Sequence, residues 1–163
     1  MESKLVSLGT SIFFGSFYKI AQLVGKHSNL KKVICEKQHF NLDLYNYSML
    51  HDIDFILVEK KDDLAKIENS RYDVGVSCGT GLIFKKQHIE IFKKGIWNIH
   101  YGLLPEIRGR HPISWGFIEN MEFGVSIHQI NEEIDKGILL AKAYVERDIK
   151  DTQIEIEKKI EEI

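Results

Sequence analysis

The chain predicts an α/β fold, Rossmann-like, with a mainly parallel sheet and helices on both faces. Three observations lead there. Short apolar runs alternate with stretches of helical period along the whole length. Several of those runs end in small, turn-forming residues, as at Gly9-Thr10-Ser11 and Cys78-Gly79-Thr80-Gly81. No repeat, low-complexity tract or linker interrupts the 163 residues, so residues 1–163 read as one domain with room for a core. Strands that alternate with helices need crossover connections, and crossovers make parallel sheets.

The elements follow in order. Leu5 to Leu8 is a short apolar run expected as a first strand. Phe14, Phe17, Ile20, Ala21 and Val24 recur at helical spacing, which predicts a helix from Phe14 to Gly25. Val33-Ile34-Cys35 is a second strand. Phe40 to Leu50 is ambiguous between a weakly capped helix and an irregular loop. Asp54 to Val58 reads as a strand and Asp62 to Ile67 as a short helix. Val74 to Ser77 is a buried strand. Lys85 to Lys94 is expected as a helix with Ile89 and Phe92 inward, closed by Gly95. Ile96 to His100 is a strand, and Pro112 suits the first turn of a helix reaching about Asn120. Val125 to Ile130 alternates as a strand with Val125, Ile127 and Gln129 on one face. A loop from Asn131 to Gly137 follows, then a strand from Ile138 to Val145. Asp151 or Thr152 caps a last helix with Ile156 and Ile160 inward.

Composition narrows the function classes. Hydrophobic residues make up 44% and charged residues 28%, ordinary for a globular protein. The formal net charge of −2 lacks the basic excess of a nucleic-acid binder, so nucleic acid is not expected as a partner. No stretch is apolar for long enough to span a membrane. The segment Leu5 to Tyr18 is broken by Ser, Gly and Thr and fits a buried strand and helix better than a signal peptide. Cys35 and Cys78 form no Cys-x-x-Cys motif and read as buried reduced thiols, which suits a cytoplasmic protein. The histidines form no metal-ligating spacing, and no metal is assigned. His128 reads as a packing or hydrogen-bonding residue.

The chemistry concentrates later in the chain. Asn98 and His100 are two apart in a strand-like stretch, so their side chains share a face. Taken alone, an Asn and a His at a strand end are ordinary hydrogen-bonding residues, and Asp135-Lys136-Gly137 is ordinary turn chemistry. Together they supply an amide to hold an oxyanion, an imidazole to handle a proton and a carboxylate to balance it. Around them stand Leu103-Leu104-Pro105, Arg108-Gly109, Pro112, Trp115, Gly124-Val125-Ser126-Ile127-His128, Asp135-x-Gly137 and Asp151-Thr152. In order and spacing this string resembles the catalytic domain of the 10-formyltetrahydrofolate-dependent formyltransferase family. The likeness covers residues 74 to 155, while the first 70 residues share only the strand–helix alternation.

The resemblance implies Asn98, His100 and Asp135 as the catalytic groups and 10-formyltetrahydrofolate as formyl donor. It implies a pterin cradle of main-chain groups on two loops, Gly79-Thr80-Gly81-Leu82-Ile83 and the stretch from Asn131 through Ile134 to Asp135. Gly137 would relieve backbone crowding near a bound ring. The string Arg108-Gly109-Arg110-x-Pro112-x-x-Trp115 resembles most the members that formylate amino sugars carried on nucleotides, with Arg108, Arg110 and Trp115 on the acceptor side. The small-molecule substrate expected is therefore a nucleotide-linked amino sugar. Phosphoribosylglycinamide, methionyl-tRNA and water (a formyltetrahydrofolate hydrolase) are the alternative acceptors. A non-catalytic, truncated folate- or sugar-nucleotide-binding domain is the reading outside the enzyme class. The family's core continues beyond the Asp151-Thr152 helix, so truncation at the C-terminus is an expectation, and a homodimer stays open.

Overall fold

A computed structural model describes residues 7–59, 64, 67 and 71–163. The chain divides into two compact units, one running to Ile96 and the other from Trp97 to Ile163. Seven strands are found among the described residues. The α/β class with a mainly parallel sheet, expected from the alternation of elements, is the class observed.

In the first unit four parallel strands lie in the order β3-β2-β1-β4. They are β1 (Thr10–Gly15), β2 (Asn29–Glu36), β3 (Asp54–Val58) and β4 (Val74–Cys78). Helix α1 (Tyr18–His27) joins β1 to β2, and α2 (Leu42–Leu50) precedes β3. Ile12, Phe13 and Phe14 are fully buried in succession, which is the mark of a strand covered on both faces. That burial is why Phe14 belongs to β1 and not to the helix expected from Phe14. The helical spacing of Phe17, Ile20, Ala21 and Val24 begins only after Gly15 has ended the strand. Phe14 packs edge-on against Phe84 and Phe92, at centroid distances of 4.9 and 6.0 Å.

The expected first strand at Leu5 to Leu8 lies mostly outside the described residues, and Ser7 and Leu8 are in neither helix nor strand. The expected helix from Asp62 to Ile67 likewise lies outside them, except for the buried residues Leu64 and Ile67. The ambiguous stretch resolves as α2 because Asn41 caps it, its Oδ1 accepting from the Leu44 N–H at 3.0 Å. The helix expected over Lys85 to Lys94 shrinks to α3 (Lys86–Ile89). His88 takes the buried place there, and its Nδ1 accepts from the Lys85 N–H at 3.1 Å.

Asp73 fixes where β1 and β4 begin. Its Oδ2 accepts from the Thr10 N–H at 2.7 Å and the Thr10 hydroxyl at 2.8 Å, and its Oδ1 pairs with the Lys93 ammonium at 2.8 Å. Lys93 first, then the two Thr10 donors, hold the Asp73 carboxyl well below the usual range.

The second unit is an antiparallel ladder with β6 between its neighbours: β5 (Ile96–His100), β6 (Phe123–Gln129) and β7 (Leu139–Val145). Helices α4 (Pro112–Ile118) and α5 (Gln153–Glu161) complete it. Phe123, Ile156 and Ile160 form its apolar centre, with Tyr101, Ile113, Phe117, Val125 and Val145 packed around them. Arg147 lies 4.4 Å over the Phe117 ring and covers the cluster with a cation–π contact. Thr152 caps α5 as expected, its N–H donating to Glu155 at 3.0 Å in a capping box.

Because Ile156 is 0% exposed, Ile156→Ala should destabilise the second unit by about 2–5 kcal/mol, the range for truncating a buried isoleucine. Urea denaturation followed by tryptophan fluorescence checks this, and an unchanged midpoint would contradict the packing described.

Candidate active site

Strand β5 carries Asn98 and His100, and β6 runs antiparallel beside it. Asn98 faces His128 across the ladder and His100 faces Ser126. Residues directly opposite share a face, so Asn98, His100, Ser126 and His128 project together. On one side of β6 Gly124, Ser126 and His128 are all buried, while on the other Phe123 is buried and Val125 and Ile127 are half-buried. Burial of Ser126 and His128 obliges both to find hydrogen-bond partners.

His100 is 7% exposed, and its Nε2 donates to the Ile107 carbonyl at 2.9 Å. A carbonyl can only accept, so this bond fixes the tautomer: the proton sits on Nε2 and the lone pair on Nδ1. The loop that supplies the carbonyl is tied down at several points. The Ile107 N–H donates to the Leu103 carbonyl at 2.8 Å. The Leu104 N–H donates to the Ser126 hydroxyl at 2.9 Å, and Lys142 donates to the Leu104 carbonyl at 3.2 Å.

Asp135 brings the carboxylate from the loop between β6 and β7. Its Oδ2 accepts from the Gly109 N–H at 2.8 Å and lies 3.8 Å from His100 Nδ1. Its Oδ1 lies 3.2 Å from His128 Nε2, and His128 Nε2 is in turn 3.1 Å from the Asn98 amide. The three residues expected as catalytic thus lie in one network, with His128 between Asn98 and Asp135. At 3.8 Å the His100–Asp135 contact is an ion-pair distance and not a hydrogen bond, so Ile107 and not Asp135 orients the imidazole.

Asp135 adopts φ 50°, in the left-handed region that a non-glycine residue enters at a cost. The Gly109 and His128 contacts hold it there. Gly109 itself sits at φ 85°, which turns its N–H toward the carboxylate. Gly137 is needed for a reason other than a bound ring: a Cβ there would collide with the Gln129 carbonyl oxygen. The crowding comes from the chain's own strand β6.

Two charges are tuned. Burial pushes the His100 imidazole below its ordinary value and His128 adds to this, while the Asp135 carboxylate and the Ile107 carbonyl oppose. His100 is therefore neutral at neutral pH with a basic nitrogen on the Asp135 side. For Asp135 burial is the largest influence and raises its pKa. The hydrogen bonds from His128 and Gly109, with the nearby imidazoles, outweigh burial and leave it below the usual carboxylate range.

The other expected residues distribute as follows. Arg108 and Arg110 are exposed on either side of Gly109, and Trp115 is 49% exposed on α4. Asn131 closes its own loop, accepting from the Glu133 N–H at 2.9 Å and donating to the Lys136 carbonyl at 3.3 Å. Ile134 is 72% exposed beside the half-buried Asp135. In the first unit, Glu36 engages the loop after β4. It accepts from the Thr80 hydroxyl at 3.0 Å and the Gly81 N–H at 2.7 Å, while the Leu82 N–H donates to the Thr80 hydroxyl at 3.2 Å. The exposed Ile83 follows Leu82 at the end of that loop. His128, expected only as a packing or hydrogen-bonding residue, joins this network, and with it come Ser126 and the backbone of Ile107 and Gly109, which sequence reasoning did not single out as contacts. The period-2 placement of Ser126 and His128 on β6 was the available signal. Among the described residues no group of side chains could hold a metal ion, and no helix is long and apolar enough to cross a membrane.

Residues 57–163 match the family model described as formyl transferase. A methionyl-tRNA formyltransferase of Prochlorococcus marinus (strain MIT 9312) is 38% identical over 89 residues, 54% of this chain and 27% of that protein. One from Fusobacterium nucleatum is 24% identical over 98% of this chain and 54% of its own length. The chain spans between a quarter and about half of these relatives. Among solved structures, phosphoribosylglycinamide formyltransferase from Bacillus halodurans superposes with a TM-score of 0.77 at 22% identity, covering 94% of this chain and 88% of that one. A sugar N-formyltransferase from Shewanella gives 0.73 at 21% identity, covering 95% and 64%. These structures share the fold, and the match over residues 57–163 places the chain in the formyl transferase family.

Proposed function

We propose that the protein transfers a formyl group from 10-formyltetrahydrofolate to the amine of a nucleotide-linked amino sugar. The observation that carries the reading is the buried network of Asn98, His128, Asp135 and His100 within a unit that matches the formyl transferase family throughout. When bound, the folate supplies an activated formyl carbon on N10, to which an amine adds and from which N10 then departs. Asn98 donates to the formyl oxygen as charge develops on it. His100 accepts the amine's proton on Nδ1, the nitrogen that its Ile107 bond leaves basic. The Asp135 carboxylate, 3.8 Å away, stabilises the imidazolium so formed. The same proton then goes to the departing nitrogen. The main chain of Asn131–Asp135 reads the pterin, with Ile134 and the similarly exposed Ile138 as an apolar rim for a flat ring. Gly79–Ile83 is the other loop implied by the family likeness. Its Gly81 and Leu82 N–H groups are already engaged internally, so its carbonyls are the groups suited to the pterin's donors. The setting is cytoplasmic, where Cys35 and Cys78 stay as buried thiols.

Arg108, Arg110 and Trp115 favour the nucleotide sugar: two guanidinium forks suit a diphosphate, and an exposed indole suits a base. Methionyl-tRNA is the second reading, because the curated relatives above carry that name.

Alanine at Asn98, His100 or Asp135 should each lower kcat by roughly 10²–10³ without loss of fold, read by formyl transfer and circular dichroism. Wild-type kinetics on these variants would refute the assignment.

The pH dependence has a definite sign. His100 titrates below its ordinary 6.5 when folded, so between the two values the unfolded chain binds more protons. Stability and turnover should both fall as pH drops through that window. The lowered Asp135 pKa extends the loss of stability in the same direction below its ordinary 3.8. His100→Gln should flatten the upper part of the stability profile in thermal melts from pH 7 to 5.

Arg110→Ala and Trp115→Ala should raise KM for a nucleotide amino sugar on the order of tenfold, with kcat little changed. Faster formylation of methionyl-tRNA or phosphoribosylglycinamide than of any nucleotide sugar in a panel would replace this acceptor and leave the assignments of Asn98, His100 and Asp135 in place.

A further inference from the structure

His128 is 2% exposed, and the two sides of its ring differ. Nε2 faces two groups, Asp135 Oδ1 at 3.2 Å and the Asn98 amide with its Nδ2 at 3.1 Å. Nδ1 lies on the side of Gly137 and has no hydrogen-bond partner among the described residues. A proton on Nδ1 would leave a buried donor unpaired, the arrangement that folded proteins avoid most strongly. It would also set the Nε2 lone pair against the Asp135 carboxylate at 3.2 Å. With the proton on Nε2 both penalties vanish, because the N–H donates to Asp135 and the leftover atom on Nδ1 is an acceptor.

That tautomer decides which end of the Asn98 amide faces His128. The two ends have the same shape and are told apart by their hydrogen bonds. An Nε2–H cannot accept from an NH₂ group, so Nδ2 and Oδ1 of Asn98 exchange places and the amide oxygen faces it. The NH₂ end of Asn98 then points away from His128. We infer that His128 is a positioning residue: its Nε2–H holds the Asn98 oxygen and the Asp135 carboxylate at once, and so presents the Asn98 NH₂ as the donor to the formyl oxygen. Without that N–H the amide can reverse and offer an oxygen to a developing oxyanion, which repels it.

The inference rests on the proposed formyl transfer, and two measurements separate the failure of one from the failure of the other. The first needs no turnover. Nitrogen NMR of protein labelled with ¹⁵N-histidine should show His128 protonated at Nε2 and bare at Nδ1 near neutral pH. A proton on Nδ1 would overturn the inference whether or not the protein transfers formyl groups. The second uses variants. His128→Met should lower kcat on the order of tenfold or more, with KM for donor and acceptor within about twofold. His128→Gln, whose amide N–H can donate where Nε2 does, should restore most of the rate. In an Asn98→Ala background His128→Met should cost no more than about twofold, since the amide it orients is gone. Full multiplicative loss in that background, or failure of His128→Gln to rescue while it folds as well as wild type, would also overturn it. Absence of formyl transfer by the wild-type protein would sink the proposed function and leave the tautomer result to stand by itself.

Discussion

The Asp135 carboxylate is the constraint on which the rest of the site depends. It is largely removed from water, and burial alone would drive it toward the neutral acid. Two donors reverse that tendency: the Gly109 N–H on one oxygen and the His128 ring on the other. Each donor comes from a different element. Gly109 belongs to the loop between β5 and α4, and His128 to β6. A single ionised group thereby draws two segments together, and its left-handed backbone shows that the loop has yielded to satisfy it. Removing either donor would leave an undercompensated buried charge, which costs more than the donor's own bond is worth.

The two imidazoles divide the work around that carboxylate because each is fixed in its own tautomer by what surrounds it. His100 commits its proton to the Ile107 carbonyl and keeps Nδ1 basic. His128 commits its proton to the Asp135 side and keeps a bare nitrogen in the interior. One ring is therefore a proton acceptor and the other a hydrogen-bond donor, although both are buried on neighbouring strands within the same network. Their ring centroids lie 6.5 Å apart, edge to face, with Asp135 beside both.

The sequence reveals this arrangement unevenly, for physical reasons. Period-2 spacing put Asn98 and His100 on one face, and β5 has the predicted start because Gly95, at φ 71°, breaks the chain just before it. Ile156 and Ile160 were legible for the same reason, as apolar residues four apart after a capping threonine. The strand at β1 was misread because a run buried on both faces has no alternation, and its last phenylalanine also fits the period of the helix that follows. His128 was visible as a hydrogen-bonding residue but not as a bridge. Its role depends on the antiparallel register that sets it opposite Asn98, and register is a tertiary fact. The contributions of Ile107 and Gly109 come from main-chain atoms, which no side-chain pattern reports.

Under the proposed function, the Gly109 bond also links recognition to chemistry. The loop that displays Arg108 and Arg110 is anchored between them, by one N–H, to the oxygen of Asp135 that faces His100. Arg108 and Arg110 are long and exposed, so their reach depends on where that anchor holds the backbone. If Asp135 were protonated on that oxygen, the N–H would lose its charged acceptor and the loop its fixed point. The hydrogen bonds that keep Asp135 ionised therefore serve two ends. They keep a negative charge beside the His100 imidazole, and they hold the backbone between Arg108 and Arg110 in place. Under the proposed function, a site built this way couples the position of the acceptor to the protonation state of the base through one carboxylate.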